Sequence, residues 1–223
     1  SEAGSAKHYP KGSFVLDMLR YVLGNDNYRR SITAYLKKHG FGNVDSHDLY
    51  ISIYETTGIN LDWFFDEWIY RSSNPIISTT YKSENGMIQF VCKQTIDSAP
   101  ELKPFKMPAT LEVFYKDGSR DSFVRWIGNY SDTFNLPNPA NKAVNYILFD
   151  AKNQILKRYR PNRTLEETLE QISKAPYATA KYEAVISLAD TPIAKKKALY
   201  LKTFDEVTFQ PLKNAIISQL GKD

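Results

Sequence analysis

The chain has 223 residues, of which 42% are hydrophobic and 24% are charged, a balance that supports a packed core and excludes disorder along the whole length. Its net charge of +4 is too small and too dispersed to indicate a nucleic-acid partner. No apolar run approaches the roughly 18 residues of a membrane helix, and the single cysteine excludes an internal disulfide. These properties predict a soluble globular protein without a membrane span.

The first 74 residues predict four helices with clear start and stop signals. Apolar residues recur with the 3.6-residue period of a helix in the first three, which end at the glycines 24, 40 and 58. The residues suited to begin the four helices are Pro10, Asp26, Asp45 or Ser46, and Asn60. The fourth helix, residues 61–68, is apolar around most of its surface, so it should be buried against more than one neighbour.

After Pro75 the pattern changes to the alternation typical of strands. Asn85-Gly86 and Asp117-Gly118 predict two-residue hairpin turns of type I′. The predicted strands are 76–82, 87–95, 109–115, 119–127, 144–149 and 155–159, the last two forming a third hairpin around residues 150–153. Six or seven short strands of this kind predict an antiparallel β-sandwich that forms its own domain, residues 75–160.

From Pro161 the helical period returns in four short segments, 165–173, 178–188, 193–203 and 209–220. Short helices in succession resemble the helix pairs of a HEAT-like solenoid, and only about two pairs are present. Residues 161–223 are therefore interpreted as the start of such an array. Two basic tracts, Lys157-Arg158 and Lys195-Lys196-Lys197, are interpreted as solvated faces.

Common catalytic motifs are absent from the sequence, including phosphate-binding loops, dinucleotide fingerprints, Gly-x-Ser-x-Gly and His-Glu-x-x-His. Three scattered histidines offer no metal-ligand spacing. Cys92 lies in the middle of a predicted strand, which favours packing over nucleophilic catalysis. His47-Asp48 could be a base with its orienting acid, and Asp66-Glu67 could be a carboxylate pair. Adjacent residues diverge by about 100° on a helix, so helix capping and a solvated helix edge are the preferred interpretations.

One segment indicates a specific chemistry. Residues 9–20 read YPKGSFVLDMLR and resemble the Tyr-x-Lys-Gly-Ala-x-x-Leu-x-x-Leu-Arg signature of the aminopeptidase N-type zinc aminopeptidases, a family of gluzincin metallopeptidases. The similarity continues through TGINLDWFFDEW at residues 57–68, Pro75, and the Phe-x-x-Pro of residues 105–108. Ser13 stands where the family commonly has alanine.

The resemblance implies that residues 1–74 are the C-terminal helical part of a thermolysin-like catalytic domain, followed by the sandwich and the start of a helical C-terminal domain. In that family a zinc ion held by His-Glu-x-x-His and a distal Glu activates water. Those ligands precede the signature tyrosine and are not found in these 223 residues. Tyr9 matches the tyrosine whose hydroxyl donates to the oxyanion of the tetrahedral intermediate.

The expected function is therefore that of a fragment of a zinc aminopeptidase that removes N-terminal residues from peptides. The fragment would contribute Tyr9, bind no zinc itself and be inactive alone. The alternative is a non-catalytic relative that serves as a protein-interaction scaffold. The sequence makes no prediction of oligomeric state, compartment or substrate preference.

Overall fold

The structure is a computed structural model that describes residues 8–96 and 103–221, a mixed α+β fold. The helices of the first part are α1 His8–Leu23, α2 Asn25–Lys38, α3 Ser46–Thr57 and α4 Asp62–Phe64, which continues as a π-helix, Phe65–Tyr70. The strands are β1 Pro75–Glu84, β2 Met87–Ile96, β3 Met107–Tyr115, β4 Arg120–Ile127, β5 Ser131–Pro137, β6 Val144–Phe149 and β7 Arg158–Pro161. The last part contains α5 Leu165–Lys174, α6 Ala178–Ser187, a 3₁₀ turn Ile193–Lys195, α7 Lys197–Glu206 and α8 Gln210–Leu220. Within these described ranges, no helix has the length and apolar character to cross a bilayer.

Local capping chemistry sets several of the predicted helix ends. Asp45 caps α3 in a capping box: its side chain accepts from the backbone of Asp48, and the Asp48 side chain accepts from the backbone of Asp45. Gly58 ends this helix in the left-handed conformation, with φ of 70°. The prediction for Asn60 is shifted by one residue, because Leu61 is the N-cap of α4 while the Asn60 Oδ1 accepts from the backbone N–H of Asp62.

The strands form two sheets, with orders β5-β2-β1-β7 and β4-β3-β6. All neighbours are antiparallel except β1 and β7, which run parallel. The expectation of a purely antiparallel arrangement is therefore wrong at one edge of the first sheet.

The two predicted tight turns differ in the structure. At Asn85-Gly86 both residues have positive φ, 50° and 73°, as a type I′ turn requires. Between β3 and β4 only Gly118 has positive φ, 85°, and four residues connect the strands. The Asp117 Oδ1 accepts from the backbone N–H and the hydroxyl of Ser119, and this local turn replaces the predicted two-residue loop.

The predicted third hairpin is wrong, because β6 pairs with β3 in one sheet while β7 pairs with β1 in the other. The chain crosses between the sheets through a compact turn organised by Asp150. This carboxylate accepts from the backbone N–H groups of Gln154 and Ile155 and from the Lys157 ammonium. Asp150 and Asn153 both have positive φ, which turns the chain away from β6.

Strand β5 is absent from the sequence prediction. It pairs with β2 and alternates in burial, with Asp132 and Leu136 buried. Asp132 is a polar residue at an inward position, and it accepts from the backbone N–H groups of Gly128 and Asn129. A buried carboxylate stands at this inward position in place of an apolar side chain, so the sequence lacks the apolar alternation that would predict a strand.

One hydrophobic core joins the helical segment to both sheets. It includes residues from α1, α3, α4, the π-helix and both sheets, among them Met18, Ile53, Phe64, Trp68, Ile77, Phe90, Leu111 and Phe149. A second core lies among α5 to α8 and includes Ile172, Val185, Tyr200, Leu212 and Ile216. A smaller cluster links β6 to α5 and α6 through Tyr146, Leu148, Ala175 and Ala180.

The interpretation of the basic tracts as solvated faces is wrong for two lysines. The Lys157 side chain is only 5% exposed and contacts the Asp150 carboxylate at 2.5 Å. Lys196 is buried, and its Nζ donates to the Leu188 carbonyl and to Gln219 Oε1. Lys196 is also the N-cap of α7, so the predicted helix 193–203 is divided at this residue.

Candidate active-site segment

Tyr9 is the second residue of α1, which begins at His8, two residues earlier than the Pro10 start predicted from the sequence. The structure describes the backbone of Tyr9, whereas its side chain lies outside the described part. Positions 13 and 16, on the same helical face as position 9, have exposed side chains, and Leu16 is 40% exposed. The opposite face buries Val15, Met18 and Leu19 in the core.

The first turn of α1 is tied to the chain that follows the π-helix. Lys11 is partly buried, and its Nζ donates to the Arg71 carbonyl at 3.2 Å. Burial lowers the pKa of Lys11. Arg71 itself donates to the carbonyl of Lys103, at the segment that leads into β3. The signature segment is thus held by the helical part and, through Arg71, by the approach to the second sheet.

Two side chains of the π-helix form hydrogen bonds with the backbone of Lys106. The Glu67 Oε2 accepts from the Lys106 N–H at 2.5 Å, and the Trp68 Nε1 donates to the Lys106 carbonyl at 3.1 Å. Burial raises the pKa of Glu67, although this hydrogen bond opposes the shift. Asp66 is exposed, so the two adjacent carboxylates do not form a pair. The prediction of a solvated helix edge is wrong for Glu67, which is partly buried.

Aromatic rings extend this junction. The Lys106 ammonium lies 5.4 Å from the ring centroids of both Trp63 and Trp126. The two indole rings meet edge to face, with their centroids 5.7 Å apart. Sequence reasoning missed this junction because its partners lie on different elements.

The other candidates have structural roles. Cys92 is fully buried on β2, and burial, with a smaller effect of Asp132, raises the pKa of its thiol to about 12. The buried position in the middle of β2 confirms the strand-packing interpretation. At His47-Asp48 the capping interpretation is also confirmed, because both residues donate backbone N–H groups to Asp45.

The described residues do not fit a zinc ion. Among them, no group of three or more His, Cys, Asp or Glu side chains is arranged to hold a metal.

Comparison with known families finds a match in the helical segment. Residues 2–68 match the model of the Peptidase family M1 domain. The match covers the Tyr-x-Lys-Gly segment, α1 to α3 and the aromatic run that ends at Trp68.

Several curated relatives are named as aminopeptidases. The chain is 29% identical over 122 residues to a leucyl aminopeptidase of Saccharolobus solfataricus, covering 52% of this chain and 15% of the relative. It is 34% identical over 74 residues to aminopeptidase N of Lactococcus lactis, covering 33% of this chain and 9% of the relative. The chain therefore spans a small part of the length of these relatives.

A solved structure shares the fold over almost the whole chain. The crystal structure of Legionella pneumophila aminopeptidase A in complex with aspartic acid aligns with a TM-score of 0.67 and 14% identity, covering 96% of this chain and 24% of that one. The chain thus shares with that structure a fold of helices, two β-sheets and further helices. The resemblance to the aminopeptidase N-type family, drawn first from residues 9–20, is confirmed by these comparisons.

Proposed function

We propose that this chain is part of a zinc-dependent aminopeptidase that hydrolyses N-terminal residues from peptides. The observation that carries the proposal is the Tyr-x-Lys-Gly segment at the start of α1, inside the stretch that matches the M1 peptidase domain. The zinc ligands of the parent would come from sequence other than these 223 residues. In such an enzyme the bound zinc supplies activation of the attacking water.

We also propose three units within the chain. Residues 1–74 would complete a thermolysin-like catalytic domain, residues 75–160 would form the β-sandwich, and residues 161–223 would begin a HEAT-like helical domain. Support for the sandwich comes from the two sheets, whose inward side chains share one core. Support for the last unit comes from the separate core of α5 to α8.

The role proposed for Tyr9 is to donate its hydroxyl to the oxyanion that forms on the scissile carbonyl. A phenol is a neutral donor at pH 7, and a fixed donor of this kind can lower the barrier by about 2.7–4 kcal/mol. The Lys11–Arg71 hydrogen bond supports the proposal, because it connects the side chain two residues after Tyr9 to the chain that follows the π-helix.

The test is Tyr9→Phe in the parent protein that carries the zinc motif. We expect kcat to fall by about 10²–10³-fold with little change in KM, because the lost hydrogen bond acts only in the transition state. The matched control is Tyr54→Phe, at an exposed tyrosine on α3. Turnover by the Tyr9→Phe enzyme equal to that of the control would remove Tyr9 from the mechanism.

The scaffold alternative makes a different prediction for the parent. If the sequence before this segment lacks His-Glu-x-x-His with a distal Glu, the parent is a non-catalytic relative. For the 223-residue chain alone, we expect no hydrolysis of aminoacyl-anilides and no stoichiometric zinc by elemental analysis. Turnover with bound zinc in this chain would contradict the assignment of the ligands to other sequence.

A further inference from the structure

Strand β4 forms an open edge of the second sheet, whose order is β4-β3-β6. Among the described strands, β4 pairs with β3 alone. Five of its eight residues are exposed, including Val124 at 56% and Trp126 at 50%. An edge strand of this length presents backbone N–H and C=O groups with which another strand can pair.

The backbone directions on β4 follow from those on β3. The Thr110 carbonyl accepts from the Asp150 N–H, which directly follows β6, so the backbone groups of Thr110 point away from β4. Successive residues of a strand point to opposite sides, so the groups of Leu111 point toward its partner Phe123 on β4. The groups that point to the open edge therefore belong to the alternate residues Ser122, Val124 and Trp126. A side-chain contact is consistent with this direction, because Arg125 Nη1 donates to the Val124 carbonyl at 2.9 Å.

The charges on β4 are arranged symmetrically about its middle. Asp121 and Arg125 lie two residues on either side of Phe123, and all three side chains are on one face of the strand. If two copies of β4 pair antiparallel about Phe123, Asp121 of each copy lies opposite Arg125 of the other. Opposite charges at directly facing positions stabilise a pair of strands.

Other registers lose this match. Sliding one strand by two residues places Asp121 opposite Phe123 or Ile127. Sliding it by one residue places backbone groups that point outward opposite groups that point to β3, so the ladder cannot form. The register centred on Phe123 therefore combines the backbone directions with the charge match.

We propose that β4 is a dimerisation edge, to which a second copy of this chain adds its own β4 in the antiparallel register centred on Phe123. Ser122 of each copy would exchange backbone hydrogen bonds with Val124 of the other, and the two second sheets would join into one sheet across a two-fold axis. Arg125 would exchange its contact with the Val124 carbonyl for Asp121 of the second copy. The proposal makes no use of the peptidase assignment.

A second copy fits this edge better than the alternative in which the charges only keep other strands away. An edge protected against its own copy presents like charges to it, because the same strand lies on both sides of the two-fold axis. On β4, the two facing charges have opposite signs. The edge also carries the exposed apolar side chains of Val124 and Trp126, which a protective edge would avoid.

The first test measures the association of the 223-residue chain by sedimentation velocity and amide hydrogen exchange. We expect a reversible monomer–dimer equilibrium with a Kd between about 1 μM and about 1 mM, because an edge-to-edge contact is small. As the dimer fraction rises with protein concentration, exchange should slow at the amides of Ser122, Val124 and Trp126. The amides of Phe123 and Arg125 point to β3 and should be unaffected.

Charge variants test the register. Asp121→Arg and Arg125→Asp each place like charges opposite one another twice in a homodimer, and each alone should dimerise at least about tenfold more weakly. An equimolar mixture of the two variants should form a heterodimer with an affinity close to that of the wild type, because both facing pairs again have opposite charges. Mixing would not repair damage that either substitution causes to its own chain.

A proline variant tests the backbone pairing. Val124→Pro removes an N–H that points to the open edge and keeps the bonds to β3, so dimerisation should weaken at least about tenfold. The matched control is Thr133→Pro, at an exposed position on β5, the edge strand of the first sheet. The Gln94 N–H donates to the Tyr130 carbonyl, so Val91, the partner of Thr133, points away from β5 and the Thr133 N–H points to the open edge. This control should dimerise as the wild type does.

Three results would overturn the proposal. The first is a chain that stays monomeric at every concentration up to about 1 mM. The second is a dimer that Val124→Pro does not weaken, which would place the interface elsewhere, and the third is failure of the mixed charge variants to recover association. If Val124→Pro does not fold, the mixing experiment still decides the register. In the parent protein, protection of the three edge amides at every concentration would mean that another segment of the same chain covers β4, which would also contradict the proposal.

Discussion

Glu67 is held partly out of water by its contact with the backbone of Lys106, and this makes the fold sensitive to pH. Burial raises its pKa above the ordinary value of 4.5, because the surrounding protein solvates the charged form less well than water does. Between the ordinary and the raised pKa, folding takes up a proton. The contribution of Glu67 to stability therefore falls as the pH rises through that window.

We predict that Glu67→Gln removes this pH dependence. The amide oxygen can still accept from the Lys106 N–H, but it carries no charge at any pH. The stability of the variant relative to wild type should therefore be greater at about pH 7 than at about pH 4. Urea unfolding followed by tryptophan fluorescence measures this difference. Asp66→Asn, at the neighbouring exposed position, is the control. The prediction would be contradicted if the free energy of unfolding of Glu67→Gln differed from that of the wild type by the same amount at both pH values.

The sequence allowed Asp45 and Cys92 to be interpreted correctly, because a helix cap and a mid-strand position are local signals. The sequence carries no such local signal for the contacts of Glu67 and Glu112. The partner of Glu67 is 39 residues away, and the hydroxyl that binds Glu112 belongs to Tyr177, 65 residues away. Contacts of this kind depend on how helices and sheets pack together, and no local pattern encodes them.

Helix α5 depends on a capping box that also connects it to the first sheet. The Thr164 Oγ1 accepts from the Glu167 N–H at 3.2 Å, and the Glu167 Oε2 accepts from the Thr164 N–H at 2.6 Å. The other oxygen of Glu167 accepts from the Tyr81 hydroxyl on β1. The start of this helix is therefore fixed both by its own cap and by a contact with the first sheet.

We predict that Thr164→Ala destabilises the protein by about 1 kcal/mol, because the first turn of α5 loses a cap acceptor. Thermal unfolding followed by circular dichroism provides the measurement. Thr33→Ala is the matched control: Thr33 is exposed within α2, and its hydroxyl only bonds back to the Arg29 carbonyl. Because alanine is the better helix former, that change should be neutral or slightly stabilising. Equal destabilisation by the two variants would show that the cap makes no particular contribution.

At the level of elements, the sequence predicts most helices and strands but not the pairing of the later strands. The Asn85-Gly86 turn determines its own hairpin, because both residues favour positive φ. The turn around Asp150 has a similar appearance in sequence, yet its carboxylate bonds forward to residues 154, 155 and 157 and sends the chain to the other sheet. The geometry depends on side-chain bonds within the turn, which composition alone does not reveal.

Across the whole molecule, the helical segment and both sheets share one core, while α5 to α8 have another. All three tryptophans, at positions 63, 68 and 126, lie in the helical segment or the second sheet and none lies in α5 to α8. Their fluorescence therefore reports on the shared core. Far-ultraviolet circular dichroism also includes α5 to α8. The two signals can separate the unfolding of the two cores.

We predict that α1 and β3 unfold together, although the sequence assigns them to different domains. Met18→Ala and Leu111→Ala should each destabilise the fluorescence transition by about 2–5 kcal/mol, because both side chains are fully buried in the same core. Ile216→Ala, in the second core, is the matched comparison and should shift the circular dichroism transition more than the fluorescence transition. If Met18→Ala instead split the fluorescence signal into two transitions, the helical segment would unfold independently of the sheets. If each variant instead shows a single fluorescence transition, shifted to lower stability by a similar amount, then the helical segment and the sheets unfold as one cooperative unit. Cooperative unfolding of this kind requires the contacts that the two share in the core.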